Sequence, residues 1–202
     1  GSGINLNNYN FNSNKVFNNK FIYVGRLLKD KGVIELMEAI KIISKNNNYT
    51  NLKFIFIGRF DENNPTSINE IEFMKFVNKY DIDFYPFSDN IIKNYNQSDA
   101  LILPSYREGS PKVMLEAMSL GVNIITSNAI GCRHIIKNDY NGLVFLKKNK
   151  HDLVKSINKF ISLDKINKIN MLKNARYTIE KKYKINILIE IYDKKINEIL
   201  ND

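Results

Sequence analysis

Short apolar runs alternate with segments of helical periodicity along this chain, and that alternation limits the folds it can adopt. The runs at residues 21–24 and Lys53–Ile57 each end at a glycine, and the run at residues 101–103 ends at a proline. Glycine and proline interrupt regular structure, so these runs are predicted to be short strands. After the first of them, apolar residues recur at helical spacing, namely Val33, Leu36, Met37, Ile40 and Ile43.

The same alternation continues to the last third of the chain, where only helical patterns remain. Strands that alternate with helices pair in parallel through right-handed crossovers. We therefore predict an α/β protein, a three-layer Rossmann-like doubly wound parallel sheet of about six strands with C-terminal helices. The predicted strands are 21–24, Lys53–Ile57, Asp83–Tyr85, 101–103, 123–126 and 143–146; the predicted helices are 33–43, 68–80, 91–95, 111–120, a turn around His134, and helices from His151, over 166–183 and over 185–200.

The chain divides into three predicted parts. Residues 1–19 are rich in asparagine with little periodicity and are predicted to be an irregular lead-in, whereas residues 20–183 carry the strand and helix pattern of one domain. Residues 184–202 form a C-terminal helix with a wide apolar face. That face must cover the sheet or contact something that this chain does not contain.

Composition excludes some classes of function. The formal net charge is +9, but the lysines are scattered among asparagines, as in residues 45–48 and 147–150, which is typical of a solvated face. The charge favours anionic partners, yet the chain lacks the clustered basic stripe with interleaved aromatics that a nucleic-acid binder needs. The single cysteine, Cys132, rules out an internal disulfide and fits a reducing compartment. No apolar run approaches the roughly 18 residues of a membrane span.

The most informative stretch is residues 106–118, where two carboxylates, Glu108 and Glu116, flank a predicted helix start. Ser110 is predicted to cap that helix and Pro111 to be its first residue. Ligands of open parallel sheets bind outside the carboxyl ends of the strands. Three predicted loops leave strands at that edge with suitable groups, namely Gly25-Arg26 with Lys31, Gly58-Arg59, and residues 108–112.

These groups favour a sugar diphosphate. Free N–H groups at a helix N-terminus attract phosphate, Arg26 offers a planar fork of donors, and Lys31 offers a point charge. Glu116 could accept two hydrogen bonds from a vicinal diol such as ribose, and Glu108 could do the same for a second sugar. The alternatives are that the cations are ordinary surface residues and that Glu116 is a solvated helix residue. Glycoside hydrolysis by the two carboxylates is less convincing, because Glu116 belongs to a helix packed on the sheet.

Several motifs, in order, resemble those of the retaining glycosyltransferases of family 4, also called group 1, which have the two-domain GT-B fold. Glu108 and Glu116 match the family's E-x7-E signature. The other matching runs are Gly1-Ser2-Gly3-Ile4-Asn5, Val24-Gly25-Arg26 with Lys31-Gly32, residues 100–105, Gly131-Cys132-Arg133-His134 and Asn141-Gly142-Leu143-Val144. Two positions depart from the family pattern. His134 replaces a glutamate and is read as structural or neutral, and Ser110 replaces a phenylalanine found in many members, which changes the predicted sugar pocket.

The resemblance implies that this chain is the carboxyl-terminal, donor-binding half of such an enzyme. Arg26 and Lys31 would hold the donor diphosphate, Glu116 the ribose and Glu108 the transferred sugar, while the base would lie near Pro86 and Phe87. The predicted catalytic residues are thus Glu108, Arg26 and Lys31, and the predicted donor-binding residues are Gly25, Pro86, Phe87, Gly109, Ser110, Pro111, Lys112, Val113 and Glu116. Backbone N–H groups of Gly109, Ser110, Lys112 and Val113 would line the sugar and phosphate, and Pro111 has none to offer.

The resemblance also implies partners and a setting. We expect a UDP-sugar donor, a glycan or lipid-linked acceptor held by a missing amino-terminal domain, no metal or other cofactor, and no nucleic acid. The C-terminal helix would pack toward the missing domain, and this chain alone would bind donor without transferring sugar. The expected location is the cytoplasm, at the inner face of a membrane. The remaining alternative is a non-catalytic nucleotide-binding or regulatory module on the same fold.

Overall fold

The computed structural model describes residues 3–45 and 51–201. Gly1 and Ser2, which begin the first matching motif, and most of the lysine and asparagine stretch at residues 45–48 lie outside the described residues. In the described part of the chain, six strands form one sheet in the order β3-β2-β1-β4-β5-β6, and every neighbouring pair is parallel. The strands are β1 (Lys20–Val24), β2 (Lys53–Ile57), β3 (Asp83–Tyr85), β4 (Ala100–Leu103), β5 (Asn123–Ser127) and β6 (Leu143–Phe145). The predicted fold class is confirmed.

Eight α-helices accompany the sheet in the described part of the chain. They are α1 (Val33–Ile43), α2 (Glu70–Lys79), α3 (Ile91–Asn96), α4 (Lys112–Leu120), α5 (Ile130–Arg133), α6 (Lys150–Ser162), α7 (Lys165–Lys182) and α8 (Ile185–Asn201). Asparagines, which the chain has in excess, begin three of these helices, because the side chains of Asn69, Asn90 and Asn149 each accept a hydrogen bond from an N–H in the first turn.

Both faces of the sheet are buried, which makes the fold three-layered. Alternate residues of β1 enter different cores, so Phe21 and Tyr23 pack with α1, α2 and α6, whereas Ile22 packs with α3, α4 and α7. The first core is unusually aromatic. Phe56 on β2 contacts Phe73 and other rings at centroid distances of 5.5–6.3 Å, so aromatic rings join β1 and β2 to α2.

The lead-in is irregular apart from a 3-10 turn at Leu6–Asn8, but the structure fixes it firmly. Its buried Ile4 exchanges backbone hydrogen bonds with the junction between α7 and α8, donating to Tyr183 at 2.8 Å and accepting from Ile185 at 3.0 Å. Further along, Arg176 of α7 donates to the carbonyls of Tyr9 and Ser119. The lead-in is thereby held against α4 and α7.

The helix α8 projects an apolar face that nothing in the described part of the chain covers. Six of its side chains are half or more exposed, namely Ile189, Ile191, Tyr192, Ile196, Ile199 and Leu200. No helix among residues 3–45 and 51–201 is long and apolar enough to cross a membrane.

Candidate functional site

The loops after β1 and β4 meet at the carboxyl edge of the sheet. Gly32 adopts a left-handed conformation (φ 71°) at the start of α1, and a Cβ there would lie 2.1 Å from the Pro104 carbonyl oxygen. Only glycine therefore allows the two loops to approach so closely. The Tyr106 N–H donates to the Asp30 carbonyl at 2.9 Å, which locks the contact.

This contact brings Lys31 and Glu108 together. The Lys31 Nζ lies 2.8 Å from the Glu108 Oε1, and the two side chains are 24% and 14% exposed. Lysine and glutamate are seldom so buried unless they are paired. The structure thus joins two of the three predicted catalytic residues in one ion pair.

The start of α4 differs from the prediction at Ser110. The helix begins at Lys112, and Pro111, with an extended ψ of 109°, occupies the capping position without a side-chain hydrogen bond. The predictions that Ser110 caps the helix and that Pro111 is its first residue are both wrong, because the extended Pro111 takes the capping position and places Ser110 one residue too early. The buried Ser110 Oγ meets no hydrogen-bond partner in the described part of the chain.

Four backbone N–H groups in this stretch are also without a protein acceptor among the described residues. They belong to Gly109, Ser110, Lys112 and Val113, while the first hydrogen bonds of α4 run from Met114 and Leu115 to the Pro111 carbonyl. Unpaired N–H groups at a helix start, together with the helix dipole, form an anion site. These are the donors that the sequence predicted.

Glu116 lies one to two turns into α4 and is 14% exposed, so it is not a solvated helix residue. Its Oε1 accepts a hydrogen bond from the Tyr9 hydroxyl at 3.2 Å and lies 3.7 Å from the Lys112 Nζ. Burial, together with the Glu116 charge, raises the pKa of Tyr9 to about 12. Burial likewise raises the pKa of Tyr95, whose hydroxyl donates to the Val113 carbonyl at 3.3 Å. Two tyrosines therefore line the helix beside this carboxylate.

Arg26 is more exposed than Lys31, and it pairs with the loop after β2 rather than with the loop after β4. Its Nη1 lies 2.8 Å from the Asp61 Oδ2, and its side chain is 58% exposed. The Arg26 carbonyl accepts the buried Tyr23 hydroxyl at 2.7 Å. The adjacent Gly25 packs directly against Gly58, because a Cβ on Gly58 would lie 1.8 Å from the Gly25 carbonyl oxygen. Close packing of the loops after β1 and β2 therefore sets the position of Arg26.

The predicted base site lies after β3, at the far end of the same edge. Phe87 is 60% exposed, and the Arg59 guanidinium lies 5.0 Å from the centre of its ring. Pro86 directly follows the last residue of β3. A flat ring with a cation over it at this position could stack on a planar base.

The motif around Cys132 supports the loop that carries Glu108. Gly131 donates its N–H to the Glu108 carbonyl at 3.1 Å, and a Cβ on Gly131 would lie 2.1 Å from the Gly109 carbonyl oxygen. Cys132 is fully buried, and burial raises the pKa of its thiol to about 11. His134 is exposed at the end of α5, and its carbonyl accepts the Tyr183 hydroxyl at 3.4 Å. Gly131 and Cys132 therefore support the loop, whereas the contact at His134 involves only its backbone, and its structural or neutral role stays a prediction.

Sequence reasoning missed the partners of the predicted residues. Tyr9 lies in the lead-in 107 residues from Glu116, and Asp61 lies 35 residues from Arg26. The one sequence feature that could have indicated a partner was the position of Asp61 in the polar loop after β2. Among residues 3–45 and 51–201, no group of three or more His, Cys, Asp or Glu side chains is placed to hold a metal ion. The expectation of a reaction without metal stays a prediction.

Comparison with known proteins identifies the family. A family model for glycosyl transferases of group 1 matches residues 8–182. The chain is 28% identical over 190 residues to the capsular polysaccharide biosynthesis glycosyltransferase CapM of Staphylococcus aureus, covering 93% of this chain and 49% of CapM. It is 30% identical over 188 residues to the Escherichia coli UDP-Gal:alpha-D-GlcNAc-diphosphoundecaprenol alpha-1,3-galactosyltransferase, covering 91% of this chain and 47% of that enzyme.

A third relative is the N,N'-diacetylbacillosaminyl-diphospho-undecaprenol alpha-1,3-N-acetylgalactosaminyltransferase of Campylobacter jejuni. The two are 29% identical over 181 residues, which cover 90% of this chain and 45% of the relative. The chain thus spans about half the length of the curated relatives it matches.

Solved structures share the fold. Sucrose-phosphate synthase from Thermosynechococcus elongatus superimposes with a TM-score of 0.82 at 18% identity, covering 99% of this chain and 52% of that one. The C-terminal domain of the group 1 protein LpcC from Francisella tularensis gives a TM-score of 0.75 at 24% identity, with coverage of 91% and 100%. Anabaena HepE in complex with UDP-glucose gives 0.79 at 16% identity, with coverage of 97% and 56%. This chain has the fold of one half of a GT-B enzyme and belongs to the group 1 glycosyl transferases.

Proposed function

We propose that this chain is the donor-binding half of a retaining glycosyltransferase of family 4. It binds a UDP-sugar, and the complete enzyme transfers the sugar to a glycan or lipid-linked acceptor without a metal ion. A second, amino-terminal domain holds the acceptor and covers the exposed face of α8. The enzyme works in the cytoplasm at the inner face of a membrane, because its proposed acceptor is anchored there.

One observation carries this proposal. Four backbone N–H groups at the start of α4, which find no acceptor among the described residues, lie between two acidic side chains, Glu108 on the preceding loop and Glu116 on the helix. N–H donors suit phosphate, and carboxylates suit hydroxyl groups. A ligand that presents hydroxyls on both sides of a diphosphate satisfies all of these groups, and a nucleotide sugar is such a ligand.

The relatives support the choice of substrates. Anabaena HepE has been crystallised with UDP-glucose, and the E. coli relative carries UDP-Gal in its name. The E. coli and Campylobacter relatives both act on sugars linked to diphospho-undecaprenol. We therefore propose a UDP-sugar as donor and favour a sugar joined to a lipid through a diphosphate as acceptor.

The chemistry proposed for these groups is electrostatic. When the bond between the sugar and the diphosphate breaks, negative charge grows on the leaving diphosphate, and Lys31, Arg26 and the N–H groups of α4 stabilise it. The Lys31 ammonium has three N–H donors, so its bond to Glu108 leaves donors for phosphate oxygens. Glu108 in turn orients the hydroxyls of the transferred sugar. The presence of all three charged residues favours catalysis over a purely regulatory role.

A thermal-shift panel tests the proposal. UDP-glucose, UDP-galactose, their N-acetylamino counterparts, GDP-mannose and ATP are each added to the 202-residue chain. At a ligand concentration a hundredfold above Kd, binding adds about 2.7 kcal/mol, which raises Tm by roughly 5–10 °C for a chain of this size. We expect that rise with at least one UDP-sugar and not with ATP. Equal shifts with ATP, or none with any nucleotide sugar, would contradict the proposal.

A further inference from the structure

A basic cavity of about 390 Å³ lies at the carboxyl edge of the sheet, beside the ion pair of Lys31 and Glu108. We call it the rim cavity. Its walls come from the loops after β1, β4 and β6, and they are formed by Asp30, Tyr106, Arg107, Lys147 and Lys148. Asp30 and Arg107 directly precede Lys31 and Glu108 in the chain, so the rim cavity adjoins the candidate functional site.

The structure holds these walls in place. The loop after β6 is fixed by two hydrogen bonds, from the Lys147 N–H to the Asn128 Oδ1 at 3.0 Å and from the Leu146 N–H to the Asp152 Oδ2 at 2.7 Å. The Lys148 ammonium lies 4.9 Å from the centre of the Tyr106 ring. The Tyr106 hydroxyl donates to the Glu35 Oε1 at 2.5 Å, which fixes the ring.

The cations of the rim cavity are not neutralised within the described part of the chain. No carboxylate in the described part of the chain forms an ion pair with Arg107, Lys147 or Lys148. Asp30 accepts the Thr66 hydroxyl at 3.2 Å, Glu35 accepts the Tyr106 hydroxyl, and Glu38 pairs with Lys41 and Lys150. Asp30 and Glu35 keep their negative charge, because each accepts only a neutral hydroxyl. The three exposed cations still outnumber these two carboxylates, so the cavity has a net positive charge that attracts anions.

Strand order places this cavity at the sugar end of the proposed donor site. Along the edge, the proposed base site follows β3, Arg26 and Lys31 follow β1, and Glu108 follows β4. Lys147 and Lys148 follow β6, two strands beyond β4, which is about 10 Å at the usual strand spacing. A donor laid out from β3 to β4 therefore ends with its transferred sugar beside Glu108, where Asp30 and Arg107 begin the rim cavity, and the cavity extends from there toward the lysines after β6.

We propose that the rim cavity binds the diphosphate of the acceptor, while the amino-terminal domain holds the rest of the acceptor. This inference rests on the proposed function, in which the acceptor sugar is joined to a lipid through a diphosphate. The acceptor must meet the transferred sugar beside Glu108, and an anionic group attached to it would then lie at the rim cavity. Arg107 offers a bidentate fork and the two lysines offer point charges, a combination that suits phosphate oxygens.

The test uses the 202-residue chain and farnesyl diphosphate, a soluble prenyl chain that carries a diphosphate. Calorimetry first measures UDP binding and then titrates farnesyl diphosphate with and without saturating UDP. The double variant R107Q/K148Q should bind farnesyl diphosphate at least tenfold more weakly and UDP within twofold of the unaltered chain. The matched control K75Q/K79Q, which removes the same charge from exposed positions on α2, should leave both affinities unchanged.

Three results would overturn the inference. The first is that the double variant and the unaltered chain bind farnesyl diphosphate equally well. The second is that UDP displaces farnesyl diphosphate. The third is that the double variant loses binding to phosphatidylglycerol vesicles but keeps its affinity for farnesyl diphosphate. The second result would assign the cavity to the donor, and the third would assign it to a membrane surface. A chain that binds farnesyl diphosphate through Arg107 and Lys148 but does not bind UDP would refute the proposed function and leave the anion site standing.

Discussion

The Lys31 ammonium lies 2.8 Å from the Glu108 carboxylate, across the contact between the loops that follow β1 and β4. The pair joins a group proposed to hold phosphate to a group proposed to hold a sugar. Each therefore orients the other before the donor arrives. Their separate roles can be distinguished, because only one of the two charges favours a diphosphate.

Removing the Lys31 charge and removing the Glu108 charge should affect nucleotide binding differently. Lys31→Gln should weaken UDP binding at least tenfold, whereas Glu108→Gln should keep UDP affinity within threefold or raise it, because Lys31 is then free. The two variants should lose similar stability, roughly 1–3 kcal/mol, because each leaves one mostly buried charge without its partner. Calorimetry with UDP and urea unfolding measure both. Equal loss of UDP affinity in the two variants would refute the division of roles. In the complete enzyme, Glu108→Gln should abolish sugar transfer.

Glu116 should recognise ribose. Glu116→Ala should weaken UDP binding by about tenfold or more, since a hydrogen bond to a charged group contributes roughly 1.5–3 kcal/mol. The unaltered chain should also bind 2′-deoxy-UDP more weakly than UDP, and Glu116→Ala should lose that discrimination. Tyr9→Phe, which removes the hydroxyl 3.2 Å from the same carboxylate, is the control and should change affinity less than threefold. An unchanged UDP affinity in Glu116→Ala would rule out the ribose role.

Two glycines offer a matched test of the loop that carries Glu108. A Cβ on Gly131 would lie 2.1 Å from the Gly109 carbonyl oxygen and 2.3 Å from that of Glu108, whereas a Cβ on Gly109 meets nothing within 4 Å. Gly131→Ala should therefore displace the loop and weaken UDP binding at least tenfold, and Gly109→Ala should be tolerated. Calorimetry on the two variants, with circular dichroism to check folding, makes the comparison. Similar UDP affinities in the two folded variants would contradict the proposed role of the loop.

Lys15 should make stability depend on pH. It is buried, and burial lowers its pKa from 10.5 to about 8. Below pH 8 both the folded and unfolded chains hold the proton; between about 8 and 10.5 only the unfolded chain does, so stability rises with pH across that window. Lys15→Met should be more stable at pH 7 by roughly 1–3 kcal/mol, and the gap should narrow by pH 10. Urea unfolding at both pH values measures this; an equal gap at both would contradict it.

The sequence predicted the elements well where local pattern decides them. The bounds of Lys53–Ile57 and Asp83–Tyr85 are those of β2 and β3, because glycine, proline and polar turns sharply limit short apolar runs. The capping of α4 failed for a local reason as well, since Pro111 took the extended conformation that a capping residue needs. Because the helix starts one residue later than predicted, the Ser110 hydroxyl has no hydrogen-bond partner in the described part of the chain.

The contacts within the site could not be predicted in the same way. Lys31 lies 77 residues from Glu108, and Tyr9 lies 107 residues from Glu116. No helical or strand period links positions so far apart, and the pairs form only because the sheet order places β1 beside β4 and the lead-in beside α4. Motif order indicated which residues share the edge of the sheet, but the pairing of their side chains depends on packing.

The most direct test of donor binding follows the backbone amides at the start of α4. Two-dimensional 15N–1H spectra of the chain are recorded during titration with a UDP-sugar. The amide signals of Gly109, Ser110, Lys112 and Val113 should shift saturably, with one common Kd, while those of Gly121 and Gly142, which lie in other loops, should stay in place. Saturable shifts elsewhere without any change at these four amides would contradict the proposal that this stretch holds the donor.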